Sequence, residues 1–219
     1  EPLGSRGARF VPMNDSPPPY RLVVFDCDST LSSIEGIDAH AREHKDEIAA
    51  LTERAMKGEL PLEAVYGRRL ALVRPSRAEV ERVGALYVER ALPHARELVL
   101  ALRRFKKRVC IVSGGLRPAV AALATHLAIP AEDVFAVDVR FDERGAYAGF
   151  DEGSPLARAG GKIEVVEGLR RATPGPACLV GDGVTDLEAG VHCDRFVAYG
   201  GVARREAVFA RARVHTVAR

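Results

Sequence analysis

The chain has 219 residues, 47% of them apolar, and its 32 Lys and Arg against 30 Asp and Glu leave a formal net charge of +2. That length can bury one substantial core, and the interspersed charges lack the one-signed field that a nucleic acid or an anionic membrane surface calls for. No uncharged apolar stretch approaches the roughly 18 residues of a membrane span, so a soluble protein with no membrane partner is expected.

Residues 1–19 show no periodicity, end in Pro17-Pro18-Pro19 and lack the apolar run of about 7 to 15 residues that a signal peptide needs. They read as a disordered leader in which Pro2-Leu3-Gly4-Ser5 has the look of an expression scar, making Met13 the natural start. Cys27, Cys110, Cys178 and Cys193 are widely spaced, and three of them sit in or beside apolar runs. Small buried hydrophobes in a reduced, cytoplasmic setting are the expectation.

The first ordered element is Leu22-Val23-Val24-Phe25, an apolar run that breaks into Asp26-Cys27-Asp28-Ser29-Thr30. It reads as a buried strand ending in carboxylates. The same grammar recurs where Val109-Cys110-Ile111-Val112 meets Ser113-Gly114-Gly115, and where Cys178-Leu179-Val180 meets Gly181-Asp182-Gly183. Helical patterns at Ala119 to Leu127 and Ile163 to Leu169 separate the strands. This alternation predicts an α/β fold, a doubly wound parallel sheet whose sites lie at the carboxyl ends of the strands. Between the first two tips the chain is too long for a simple crossover and reads as several helices, with a stop at Gly58 and a capping-box start at Ser76-Arg77-Ala78-Glu79. The expected division is a catalytic core of 20–33 and 92–219, a helical cap at 34–91, and a β-hairpin flap at 138–152 centred on Asp142-Glu143-Arg144-Gly145.

Asp26 and Asp28 project two carboxylates into one small space, which is costly unless a positive charge sits there. A hard divalent cation with oxygen ligands answers that need: Asp182 supplies a further carboxylate, Asp186 one helical turn on supports it, and Mg2+ fits best. Ser113, Gly114 and Gly115 precede a helix with Pro118 in its first turn, which suits an anion cradle. Lys162, after Gly160-Gly161, offers a point charge for phosphate oxygens. The six histidines show no metal-ligand grouping beyond His40 and His44 at i,i+4 and read as structural or surface residues.

With these four segments in this order, the stretch from Tyr20 to Val217 resembles the haloacid-dehalogenase-like superfamily and, within it, the phosphoserine phosphatases. The resemblance implies Asp26 as nucleophile and Asp28 as acid/base, with one Mg2+ per chain held by Asp26, the main-chain carbonyl of Asp28, and Asp182. Asp26 would then form an acyl phosphate, and Lys162 with the Ser113 and Gly114 donors would hold the phosphate oxygens. Glu35-Gly36-Ile37-Asp38, Arg54-Ala55-Met56 and Arg68-Arg69-Leu70 resemble the family's cap segments. They imply Glu35 for the substrate ammonium, Arg69 for its carboxylate and Met56 as an apolar wall, with Thr185 and Arg205 also near the substrate. The implied reaction is hydrolysis of the small molecule O-phospho-L-serine, the last step of serine biosynthesis, by a monomer or homodimer. Phosphotransfer to an alcohol such as homoserine, and hydrolysis of another small phosphomonoester, are the alternatives. Lys57, His94 and Leu116 depart from the common pattern, His94 standing where glycine is frequent.

Overall fold

The computed structural model of the protein describes residues 19–36, 46–48, 51 and 62–216. Met56, His40, His44, Gly58 and nearly all of the proposed leader fall outside the described residues. In chain order the strands are β1 (Leu22–Phe25), β2 (Arg108–Leu116), β3 (Val134–Val137), β4 (Val139–Phe141), β5 (Tyr147–Phe150), β6 (Ala177–Gly181), β7 (Arg195–Tyr199) and β8 (Val214–Thr216). Six of them form one parallel sheet in the order β3-β2-β1-β6-β7-β8, and β4 pairs antiparallel with β5. From β1 the chain works outward through β2 and β3, then returns on the other side at β6. The order therefore reverses between β1 and β6, and a crevice opens at their carboxyl ends.

β1 is central, so both of its faces must be apolar. Val23 and Phe25 join a core with Leu102, Ile111 and Leu123, while Leu22 and Val24 join the opposite core with Val112, Val166 and Leu179. Burying each such side chain is worth about 1.5 to 3 kcal/mol, which holds the tip of β1 in place.

The helices described from end to end are α1 (Leu62–Val73), α2 (Arg77–Glu89), α3 (Ala95–Arg104), α4 (Arg117–His126), α5 (Gly161–Ala172), α6 (Val184–Gly190) and the short α7 (Glu206–Phe209). Apolar residues of α1 to α4 enter the core on one face of the sheet, and those of α5 and α6 pack on the other. The capping box at α2 forms as its sequence predicts: Ser76 Oγ accepts from the Glu79 N–H at 3.4 Å, and Glu79 Oε2 accepts from the Ser76 N–H at 2.8 Å. The buried stripe Val80, Val83, Tyr87 of that helix faces α4, at the end of the segment assigned to the cap. His94 adopts φ 64° ahead of α3, a left-handed conformation that glycine takes without strain.

β2 differs from its expected form. It runs on through Ser113-Gly114-Gly115, and its register with β3 shifts between Val112 and Leu116, so these residues make an irregular bulge rather than a loop. Arg117 ties the bulge to its neighbour: Nη1 donates to the Val134 carbonyl at 2.6 Å and Nη2 to the Ala136 carbonyl at 3.0 Å. In the hairpin, Asp142 Oδ1 accepts from the N–H groups of Arg144 and Ala146 at 2.9 and 2.8 Å, a side-chain-nucleated turn. All four cysteines are free thiols, and no described helix is long and apolar enough to cross a membrane.

Candidate active site

The first residue past β1 is still held by the sheet, since the Asp26 N–H donates to the Val180 carbonyl at 2.9 Å. Its carboxylate therefore emerges beside the tip of β6, where Asp182 follows Gly181. One oxygen from each of Asp26, Asp182 and Asp186 falls within 4.8 Å of the others, and all three residues are buried. Lys162, in the first turn of α5, reaches across to donate to Asp186 Oδ1 at 2.5 Å and to Asp26 Oδ1 at 2.8 Å. Burial works to lower the Lys162 pKa, but the two carboxylates outweigh it and hold the ammonium above its ordinary value.

Three carboxylates so close together carry more negative charge than the two cations that meet them, Lys162 and Arg205, supply, and their oxygens are the donors a hard divalent cation takes. The residues fit a bound metal ion. Asp186 suits a supporting position, because Oδ1 is engaged by Lys162 and Oδ2 accepts from the Gly183 N–H at 3.0 Å. Burial, and then the Asp26 charge, push the Asp186 pKa above the ordinary carboxylate range against the opposing pull of Lys162. Asp182 is also raised, by burial first, with Arg205 opposing.

Asp28 turns its carboxylate away from that cluster. Oδ1 accepts from the Gly36 N–H at 2.7 Å and from the Tyr87 hydroxyl at 2.5 Å. Its pKa rises to about 7, through burial and then the neighbouring Asp26 charge, with the Tyr87 and Gly36 donors pulling the other way.

These groups open into a cavity of about 420 Å3. Asp26, Asp28, Lys162 and Asp182 line its floor, and Glu35, Arg69, Thr185 and Arg205 contribute to its walls. Arg205 joins the two regions: Nε donates to Asp182 Oδ2 at 2.8 Å and Nη2 to Glu35 Oε1 at 3.0 Å. Ser29 Oγ donates to the same Glu35 oxygen at 2.8 Å, while burial raises the Glu35 pKa. Within the predicted cradle, Gly114 lines the cavity but Ser113 and Gly115 stand behind it. Ser113 is 0% exposed, and its hydroxyl accepts from the Gly115 N–H at 2.9 Å, so that N–H is engaged inside the bulge.

Two tyrosines escaped the sequence reading. Tyr66 lines the cavity and donates to the Gly114 carbonyl at 2.8 Å. Its signal was its position one helical turn before Arg69, which puts both on one side of α1. Tyr87 had only the apolar period of α2 to mark it, a pattern that predicts burial and says nothing of its hydroxyl.

A family model of haloacid dehalogenase-like hydrolases matches residues 20–194. The phosphoserine phosphatase of Homo sapiens is 41% identical over 189 residues, covering 85% of this chain and 84% of the human one. Among solved structures, a phospho-aspartyl intermediate analogue of phosphoserine phosphatase matches with a TM-score of 0.73 at 26% identity, covering 92% of this chain and 95% of the other. A substrate-bound phosphoserine phosphatase complex also matches with a TM-score of 0.73, at 25% identity, covering 91% and 94%.

Proposed function

The chain belongs to the haloacid dehalogenase-like hydrolase family, and from that premise we propose that it hydrolyses O-phospho-L-serine to L-serine and phosphate through an aspartyl phosphate on Asp26, with Mg2+ as its bound cation. The observation that carries this reading is the meeting, in one cavity, of the Asp26–Lys162 pair with two side chains of opposite charge, Glu35 and Arg69, suited to the two charged ends of an amino acid. In this reading the segment 34–91 acts as the cap and the hairpin at 138–152 as a flap.

Asp26 attacks phosphorus with a carboxylate oxygen, while Lys162 fixes the orientation of that carboxylate and offsets its repulsion for the phosphate. Asp26, Asp182 and the Asp28 main-chain carbonyl would hold Mg2+, which would supply positive charge for the non-bridging phosphate oxygens. Asp28 passes a proton to the departing serine oxygen, then accepts one from the water that opens the aspartyl phosphate. Burial raises this carboxyl above the ordinary carboxylate range, the direction an acid that must hold its proton until the leaving group departs requires. Glu35 takes the substrate ammonium and Arg69 its carboxylate in a planar fork. Thr185 and Arg205 line the approach to the phosphate.

The test is phosphate release in Mg2+ from a panel of phosphoserine, phosphoethanolamine, a sugar phosphate and an aryl phosphate, with and without homoserine. Phosphoserine should show the highest kcat/KM and yield serine and phosphate in equal amounts. Preference for another ester, or accumulation of phosphohomoserine in place of phosphate, overturns the reading.

A further inference from the structure

Tyr87 lies on α2, 59 residues along the chain from Asp28, and is 1% exposed. A phenol hydroxyl this deeply buried needs a hydrogen-bond partner; it donates to Asp28 Oδ1, with the buried Cys27 thiol beside it as a second, weaker partner. Two glycines make the contact possible. At Gly84, one turn before Tyr87, an added Cβ would stand 3.0 Å from the Ala122 Cβ and 3.3 Å from the Ala119 Cα, so the missing side chain lets α2 press against α4. At Gly36 an added Cβ would fall 2.0 Å from the Tyr87 hydroxyl oxygen, so any other residue there would drive the hydroxyl from its place. Gly36 is also the second donor to the same carboxylate oxygen, through its N–H at 2.7 Å.

We propose that Tyr87 is a positioning residue for Asp28: with the Gly36 N–H it anchors Oδ1 and so turns the other oxygen, Oδ2, toward the leaving group. A carboxyl rotates readily about its last bond, and two donors on one oxygen remove that freedom. An oxygen already accepting two hydrogen bonds is also the poorer seat for a transferable proton, which leaves Oδ2 to deliver it. The proposal rests on the reading of Asp28 as acid/base and adds the residue that aims it. In that step the bond from an Asp26 carboxylate oxygen to phosphorus forms as the P–O bond to serine breaks, and the Oδ2 proton moves to the departing alkoxide oxygen.

Proton delivery matters most when the leaving group is a poor one, and that separates positioning from mere packing. The experiment measures kcat and KM in Mg2+ for phosphoserine, which loses an alkoxide, and for p-nitrophenyl phosphate, which loses a stabilised phenoxide, in the parent, Tyr87→Phe and Asp28→Asn. The ratio kcat/KM reports the steps through leaving-group departure, so slow opening of the phosphoenzyme does not mask the effect. Tyr87→Phe should lower kcat/KM for phosphoserine about 10- to 100-fold, chiefly through kcat, and leave p-nitrophenyl phosphate within about threefold of the parent. An equal loss on both substrates, or no loss on either, overturns the proposal. If Asp28→Asn shows the alkyl-selective loss and Tyr87→Phe does not, the acid/base reading stands and Tyr87 is only packing. If Asp28→Asn is itself unselective, the acid/base reading fails and takes this proposal with it. Should Tyr87→Phe not fold, as judged by its thermal melt, Gly36→Ala carries the same test, because its Cβ would stand 2.0 Å from the hydroxyl oxygen and 2.8 Å from the ring carbon that bears it, and so forces the phenol end of Tyr87 off Asp28.

Discussion

At the tips of β1 and β6 the charged side chains are almost withdrawn from water: Asp186 retains 2% of its side-chain exposure, Asp182 3% and Lys162 11%. Across the same cavity Glu35 retains 44% and Arg205 46%. The buried group cannot exist without its partners, since each unpaired charge there costs several kcal/mol, so its geometry is set by the sheet before any substrate arrives. The half-exposed pair is screened by water and contributes little to stability, which leaves its members able to exchange partners. Reaction chemistry suits the first environment, and recognition of a charged ligand suits the second.

The sharpest way to break this comparison is to remove the nucleophile from the buried group. Asp26→Asn is nearly isosteric, and the amide cannot attack phosphorus. Phosphate release should fall by about 10,000-fold or more, while the folded circular dichroism spectrum is retained. Appreciable turnover in the Mg2+-saturated variant would remove Asp26 from its role.

On the recognition side, Arg69→Ala should damage one substrate and spare another. Losing a desolvated charge pair costs about 2 to 5 kcal/mol, which corresponds to about 30-fold to several thousand-fold in kcat/KM for phosphoserine. An aryl phosphate that never used the guanidinium should stay within a few-fold of the parent. Equal damage to both substrates would make Arg69 a structural residue and erase the division between the two regions.

A smaller effect sharpens the comparison from the side of stability. In metal-free protein the Asp28 pKa stands at about 7, raised above the carboxylate's ordinary value near 4. The folded state therefore binds this proton more tightly than the unfolded chain. The associated stability is fully present below about pH 4 and is lost as the pH rises through about 7. Asp28→Asn mimics the protonated form, so in chelator at about pH 8 it should be more stable than the parent by about 2 to 4 kcal/mol, at about 1.4 kcal/mol for each tenfold change in proton affinity. That gap should close as the pH is lowered toward about 4. A gap that does not change with pH in paired urea titrations would show that the gain comes from some other source.

The elements legible in the sequence are those encoded by neighbours along the chain. The run Leu22-Val23-Val24-Phe25 announces a strand buried on both faces, Ser76 and Glu79 announce the start of α2, and Asp142 through Gly145 announce the hairpin turn, because burial, capping and turn formation act over a few residues. The carboxylates Asp26 and Asp182 were legible for the same reason: each follows directly on a buried strand, and parallel strands present their carboxyl ends together. The irregularity of β2 was not, since Ser113-Gly114-Gly115 reads locally as a loop and becomes a bulge only through its pairing with β3. Glu35 and Arg205 are 170 residues apart and Asp28 and Tyr87 are 59 apart, and no periodicity links such positions. Residue order by itself therefore determined the parallel sheet, its acidic tips and the type of residue at each. Which oxygen of Asp28 meets Tyr87, and which carboxylates share Arg205, only the tertiary structure decided, because a hydrogen bond depends on the distance and direction between atoms that the folding of the whole chain brings together.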